Sequence, residues 1–133
     1  MSGPGTYDVQ TRWQDLDGLG HVNHAAVFTY LEEARDAFLR DHGIGREEYV
    51  VGRCAVEFRD EIAPGHASVA VECGISGLGT KSVRTRERIL GSDGEVVVDA
   101  EFGLVLWDPG SRSTRAITDA ERASLSGSEV VPG

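Results

Sequence analysis

With 133 residues, 40% of them apolar and 26% charged, the chain has the composition of one globular domain, long enough to enclose a real core. Its formal charge of −9 argues against nucleic acid as a partner, and obliges any anionic ligand to find a local basic patch. No apolar run approaches the roughly 18 residues of a membrane span, and the opening MSGPGTYDVQ carries neither the basic nor the apolar region of a secretory signal, so a cytoplasmic location is expected.

The two cysteines, Cys54 and Cys73, are too few for a disulfide framework, and each falls in an apolar strand pattern. They read as small buried apolar side chains in a reducing compartment. His21 and His24 are three residues apart but lack a further ligand at zinc spacing, so no metal site is expected.

In chain order, residues 1–5 read as a disordered tail. Residues 7–13 alternate Tyr7, Val9, Thr11 and Trp13 against Asp8, Gln10 and Arg12, the pattern of a half-buried strand. A tight loop follows, crowded with Asp15, Asp17, Gly18, Gly20, His21, Asn23 and His24. Asn23 is a good N-cap for a helix over 24–42, in which Val27, Leu31, Ala34 and Phe38 form one apolar stripe. Phe28, Tyr30 and Leu39 widen that stripe, and Gly43 ends the helix. After a short connection at 46–49, residues 50–62 read as a strand with Cys54, Val56 and Phe58 on its buried face. Pro64-Gly65 then turns the chain.

Residues 67–75 alternate cleanly, with Ala67, Val69, Val71, Cys73 and Ile75 inward, and 76–80 read as a turn. In 81–90, Arg84, Arg86 and Arg88 share one face, and Val83, Thr85, Glu87 and Ile89 the other. The arginines form either a basic patch or cross-strand pairs with Glu57, Glu72, Asp99 and Glu101. Ser92-Asp93-Gly94 makes a hairpin turn into a long strand at 95–107, then 108–115 read as a loop. Thr118 caps a short helix, with Glu121 at the capping-box position, and 127–133 should fray. One strand, one long helix and then four strands joined by hairpins predict an α+β fold, a five-stranded antiparallel sheet wrapped round one helix.

The chemistry concentrates at the start of that helix, where free backbone N–H groups and the positive dipole end can polarise a carbonyl. A loop turned by Gly18 and Gly20 can bring Asp17 over this entrance, where a carboxylate can attack an activated acyl group or activate water. The same residues also fit a plain capped turn.

The stretch DLDGLGHVNHAAVFTYLEEAR, residues 15–35, resembles the signature of the 4-hydroxybenzoyl-CoA thioesterase family of hot-dog folds. That signature is D-x-D-x-x-G-H-V-N-N/H, then a tyrosine-rich helical turn, then E-x-A-R. Asp15, Asp17, Gly20, His21, Val22, Asn23, Tyr30, Glu32, Ala34 and Arg35 match it without gaps. The resemblance runs over nearly the whole chain, including its ending at Asp108, Arg115, Ile117 and Arg122. It implies an acyl-CoA thioesterase that releases a carboxylic acid and CoA, with no cofactor besides the CoA of the substrate. Asp17 would be the catalytic carboxylate. His24 would assist it, standing where the Tol-Pal-associated acyl-CoA thioesterases carry a histidine. Gly20, His21, Val22, Asn23, Val27 and Glu32 would line or brace the substrate site, with Val27 in place of the family's usual tyrosine. Relatives pair into homodimers or homotetramers. Lys81, Arg84 and Arg112 are CoA-binding candidates on charge alone. A hot-dog hydratase acting on an acyl thioester and a non-catalytic thioester binder are the alternatives.

Overall fold

Asn23 begins the long helix through its side chain: in the computed structural model, which describes residues 5–11, 22–62 and 68–129, its Oδ1 accepts the Ala26 N–H at 2.8 Å. The helix, α1 (His24–Asp41), buries Ala26, Val27, Tyr30, Leu31, Ala34, Arg35, Phe38 and Leu39. It ends where Gly43 takes a φ of 83°. There the Gly43 N–H reaches the Arg40 carbonyl at 3.0 Å and the Ile44 N–H reaches Leu39 at 2.9 Å, so the last carbonyls are satisfied by a glycine cap.

The strands are β1 (Gly5–Gln10), β2 (Tyr49–Phe58), β3 (Ser68–Leu78), β4 (Ser82–Leu90), β5 (Val96–Asp108) and β6 (Ser113–Thr114), followed by α2 (Asp119–Ser126). All pair antiparallel, in the order β1-β3-β4-β5-β2, with the two-residue β6 folded back on β5. The five long strands are those expected; the expected loop at 108–115 additionally contains β6. The expected turn at 76–80 is shorter, because β3 runs through a bulge between Ile75 and Gly77 and on to Leu78.

The helix lies on the face formed by Val69, Val71, Cys73 and Ile75 of β3, Val83 and Ile89 of β4, and Val98, Ala100, Phe102, Leu104 and Leu106 of β5, all buried. Burying each large apolar side chain of this layer contributes roughly 1.5–3 kcal/mol. Thr118 and Glu121 make the expected capping box at the start of α2.

Three expectations need correction. Residues 49–58 do not form a hairpin with β3; they cross to the far edge and pair with β5. Among the described residues β2 is the outermost strand and pairs with β5 alone, and Cys54 is exposed while Cys73 is buried. Phe58, at 38% exposure, is likewise uncovered, and Val56 is only half-buried. The described ends of the two expected tails are ordered. Gly5 already pairs with Cys73, and Gly127–Glu129 do not fray, because the Ser128 carbonyl accepts the Ile75 N–H at 2.9 Å and Glu129 bridges Ile75. Glu87 shares the inner face of β4 with Val83, Thr85 and Ile89, as expected, and is fully buried opposite Arg35 of α1. The turn at Pro64-Gly65 lies outside the described residues.

Candidate active site

An open cleft of about 560 Å³ lies at the N-terminal end of α1. Val22, Asn23, His24 and Val27 form its helix side. The end of β2 and the residues after it, from Phe58 to Ile62, form the other side together with Val98. Asn23 spends its side chain on the Ala26 amide, so the amides of His24 and Ala25 have no acceptor within the helix. They are the groups through which the helix start can polarise a carbonyl.

The His24 ring stacks on the Phe58 ring, with centroids 4.1 Å apart and planes at 21°. Phe28 meets the same ring edge-on at 6.5 Å. An aromatic platform thus fixes the orientation of an otherwise exposed histidine. Val27 and Ile62 are buried and supply an apolar wall.

Three charged groups complete the rim. Arg59 contacts the Glu57 carboxylate and bonds Asp99 at 3.0 Å. Asp60 accepts the Glu61 N–H at 2.8 Å, and both carboxylates line the cleft. Asp99 also accepts from Arg86 at 2.9 Å and lies 3.7 Å from Arg88, so the cross-strand pairing expected of Arg86 and Arg88 is present. The Arg86 hydrogen bonds, ahead of the opposing effect of burial, hold the Asp99 carboxyl below its ordinary range.

Of the site residues expected from sequence, Val22, Asn23, His24 and Val27 come together here. Asp17, Gly20 and His21, together with Asp15, lie outside the described residues. Glu32 is exposed two turns further along α1 and is not among the residues described around the cleft. Lys81, Arg84 and Arg112 sit elsewhere in the chain. Lys81 contacts Thr114 at 3.4 Å beside the far end of β5, and its carbonyl accepts the Leu106 N–H. Leu106 is eight residues from Val98, about 27 Å along the strand. Arg112 lies in the β5–β6 turn at a φ of 54°. Arg84 pairs with Gly103, five residues from Val98 and so about 17 Å away along β5.

Phe58, Arg59, Asp60, Glu61 and Ile62 were not singled out from the sequence as site residues. Their place depends on β2 pairing with β5 and then turning under the helix start, and no local pattern announces that. Among the described residues no group of three His, Cys, Asp or Glu side chains is placed to hold a metal ion. No described helix is long and apolar enough to cross a membrane.

The structure is similar to a predicted thioesterase from Bacillus stearothermophilus, with a TM-score of 0.87 at 23% identity, over 98% of this chain and 100% of that one. It is similar to a thioesterase from Thermus thermophilus crystallised with coenzyme A and zinc, with a TM-score of 0.79 at 28% identity, over 90% and 95% of the two chains. A thioesterase candidate from Pseudomonas aeruginosa aligns at 30% identity and a TM-score of 0.78, over 89% and 95%. No curated protein sequence matches the chain. The family model of the thioesterase-like superfamily matches residues 11–126. With that match covering α1, the strands β2 to β6 and the cleft at the start of the helix, the chain belongs to the thioesterase-like superfamily and has its hot-dog fold.

Proposed function

We propose that the protein hydrolyses an acyl-CoA thioester to a carboxylic acid and CoA in the cytoplasm, and that the cleft at the start of α1 is where it does so. The observation that carries this reading is the cleft itself. It joins two helix-start amides, an oriented histidine and an apolar wall, in a chain that matches the thioesterase-like superfamily from residue 11 to 126. The coenzyme A bound by the Thermus thermophilus relative supports CoA as the carrier.

In this reading the thioester carbonyl lies against the amides of His24 and Ala25, which stabilise the oxyanion as the tetrahedral intermediate forms. Asp17 either attacks the carbonyl carbon itself, giving a mixed anhydride that water then hydrolyses to the free acid and the Asp17 carboxylate, or takes a proton from a water that attacks the carbon. Collapse of the intermediate expels the CoA thiolate. His24, held by Phe58, positions the water or the departing sulfur. Val27, Ile62 and Val98 receive the acyl group. Gly20 and His21 shape the loop that carries Asp17, and Glu32 braces it from the helix. Arg59, which lines the cleft, is the first candidate for the CoA phosphates; Lys81, Arg84 and Arg112 are secondary, because they lie far along β5 within one chain.

We also infer at least a homodimer. The 10-residue edge strand β2 exposes Val50 and Val51 at 42% and 47%, an apolar edge that soluble proteins normally cover.

A panel of aliphatic and aromatic acyl-CoAs, assayed for free thiol beside an enoyl-CoA hydration assay, tests the function. Thiol release without hydration is expected. Hydration without thiol release would replace hydrolysis with a hydratase, and saturable binding with neither product would leave a binding module.

A further inference from the structure

One short segment stands between two hollows. The cleft at the start of α1 and a second cleft of about 420 Å³ have Asp60, Glu61 and Ile62 in common. On β5 the two clefts divide at adjacent residues: Val98 lines the first and Val97 the second. Beyond the shared segment the second cleft is walled by Val69 and Ala70 of β3 and by Leu90 of β4, with Asp8 and Glu95 also lining it.

The shared segment is held in place. The Val97 carbonyl accepts both the Arg59 N–H at 2.8 Å and the Asp60 N–H at 3.1 Å. The Asp60 carboxylate then accepts the Glu61 N–H at 2.8 Å. Three successive amides are tied down just as the chain leaves β2. They deliver Ile62 into the core, at 7% exposure, while Asp60 and Glu61 stay exposed. A β-branched side chain is stiff about its first torsion, so Ile62 behaves as a wall and not as a flap. Of the three shared residues it alone is both apolar and buried.

We propose that Ile62 is the end-stop of the acyl site: its side chain sets the longest acyl group that is used well and withholds the second cleft from the substrate. This rests on the hydrolase reading above. With the thioester carbonyl at the His24 and Ala25 amides, Val27 and Val98 flank the acyl chain and Ile62 closes the apolar wall. Each methylene that enters this wall should raise kcat/KM about fourfold, the worth of one buried methylene. Once the chain reaches Ile62, a further methylene meets a fixed side chain or water, and the gain ends. Truncating Ile62 joins the two clefts and opens the apolar surface of Val69, Ala70, Leu90 and Val97 to a longer chain.

A series of straight-chain acyl-CoAs from acetyl to palmitoyl, each assayed for free thiol, tests the stop. Ile62→Val should lengthen the longest well-used chain by about one carbon and Ile62→Ala by about three, the carbons that each substitution removes from the wall. Ile62→Phe should shorten it. Ser68 is exposed and lines the second cleft, so adding Ser68→Trp to Ile62→Ala should return the cutoff to shorter chains. Circular dichroism checks folding, and Ile62→Val keeps the test alive where the larger truncation fails to fold. A cutoff that stays in place in the folded variants would overturn the stop. A cutoff that moves in Ile62→Ala regardless of Ser68→Trp would overturn the second cleft as the space beyond it. Hydrolysis stands in both cases. No thiol release by the wild type at any chain length would instead remove the reading on which the stop rests.

Discussion

Arg35 and Glu87 form a two-pronged ion pair inside the protein, with Arg35 Nε 2.8 Å from Glu87 Oε2 and Nη2 3.0 Å from Oε1. The side chains are 3% and 0% exposed. The Thr85 hydroxyl donates to Glu87 at 2.6 Å, and the guanidinium lies 3.8 Å from the centre of the Phe102 ring. Burial pushes the Glu87 carboxyl up, while Arg35 and then Thr85 pull it down. The pair bolts the middle of α1 to β4. Its attraction roughly offsets the cost of taking two charges out of water, but loss of one partner leaves the other stranded.

Single substitutions at this pair should therefore cost far more than the double. Glu87→Leu or Arg35→Met should destabilise the fold by about 3–5 kcal/mol, whereas Arg35→Met with Glu87→Leu should recover much of that loss. Chemical denaturation of the four proteins gives the coupling directly. Equal, additive losses would mean that the pair contributes only packing.

Asp17→Asn should lower kcat by roughly 10²–10⁴ with little change in KM, because it removes basicity and nucleophilicity but keeps size. Asp15→Asn, Asp60→Asn and Glu61→Gln are the comparisons, and each should lose much less. Circular dichroism checks that all four variants fold. Near-native turnover by folded Asp17→Asn, with a large loss at Asp60 or Glu61, would move the catalytic carboxylate to the β2 side of the cleft.

His24→Ala should give a defect between those of Asp17→Asn and Asp15→Asn. Phe58→Ala removes the ring that orients His24 and should lower kcat by about ten- to a hundredfold. If positioning is its role, adding Phe58→Ala to His24→Ala should cost almost nothing more. Losses that multiply would show that Phe58 acts independently of the histidine.

His42 joins the end of α1 to the C-terminal segment, with Nδ1 2.6 Å from the Ser124 hydroxyl and Nε2 3.0 Å from that of Ser128. Burial holds its pKa below the ordinary value, against the opposing charge of Asp41. A lowered pKa means that the unfolded chain takes up the proton first. Stability from this group is present above about pH 6.5 and is lost as the pH falls toward the folded-state value. His42→Gln should flatten the dependence of Tm on pH across this window relative to wild type. Parallel curves for the two proteins would exclude His42 as the cause.

What the sequence made legible is local. Asn23 with Gly43, and Thr118 with Glu121, mark helix ends through bonds that span three to five residues, and the structure keeps them. Alternation in β3 and β4 separated the inner face from the outer because α1 covers the inner one. The same pattern misread Cys54: a period of two distinguishes the faces of a strand but not whether anything lies over them. The face that Glu87 shares was legible, but its pairing with Arg35 was not, because the two are 52 residues apart. Ser128 read as tail because the histidine that holds it is 86 residues away. The helix side of the cleft was legible in one stretch, whereas the β2 side arrives through pairing with β5.

The strand order also sets a timetable for assembly. β3, β4 and β5 are neighbours in both sequence and space, and can zip through short hairpins. The outer strands must wait: even their nearest pairs, Phe58 with Val98 and Gln10 with Ser68, close loops of roughly forty and sixty residues before a first bond forms. Pulse-labelled hydrogen exchange during refolding should protect the amides of β3–β5 first, and those of β1 and β2 afterwards. Until β2 docks, the chain has no β2 side of the cleft, so ligand capture should track that late phase rather than the first appearance of the sheet.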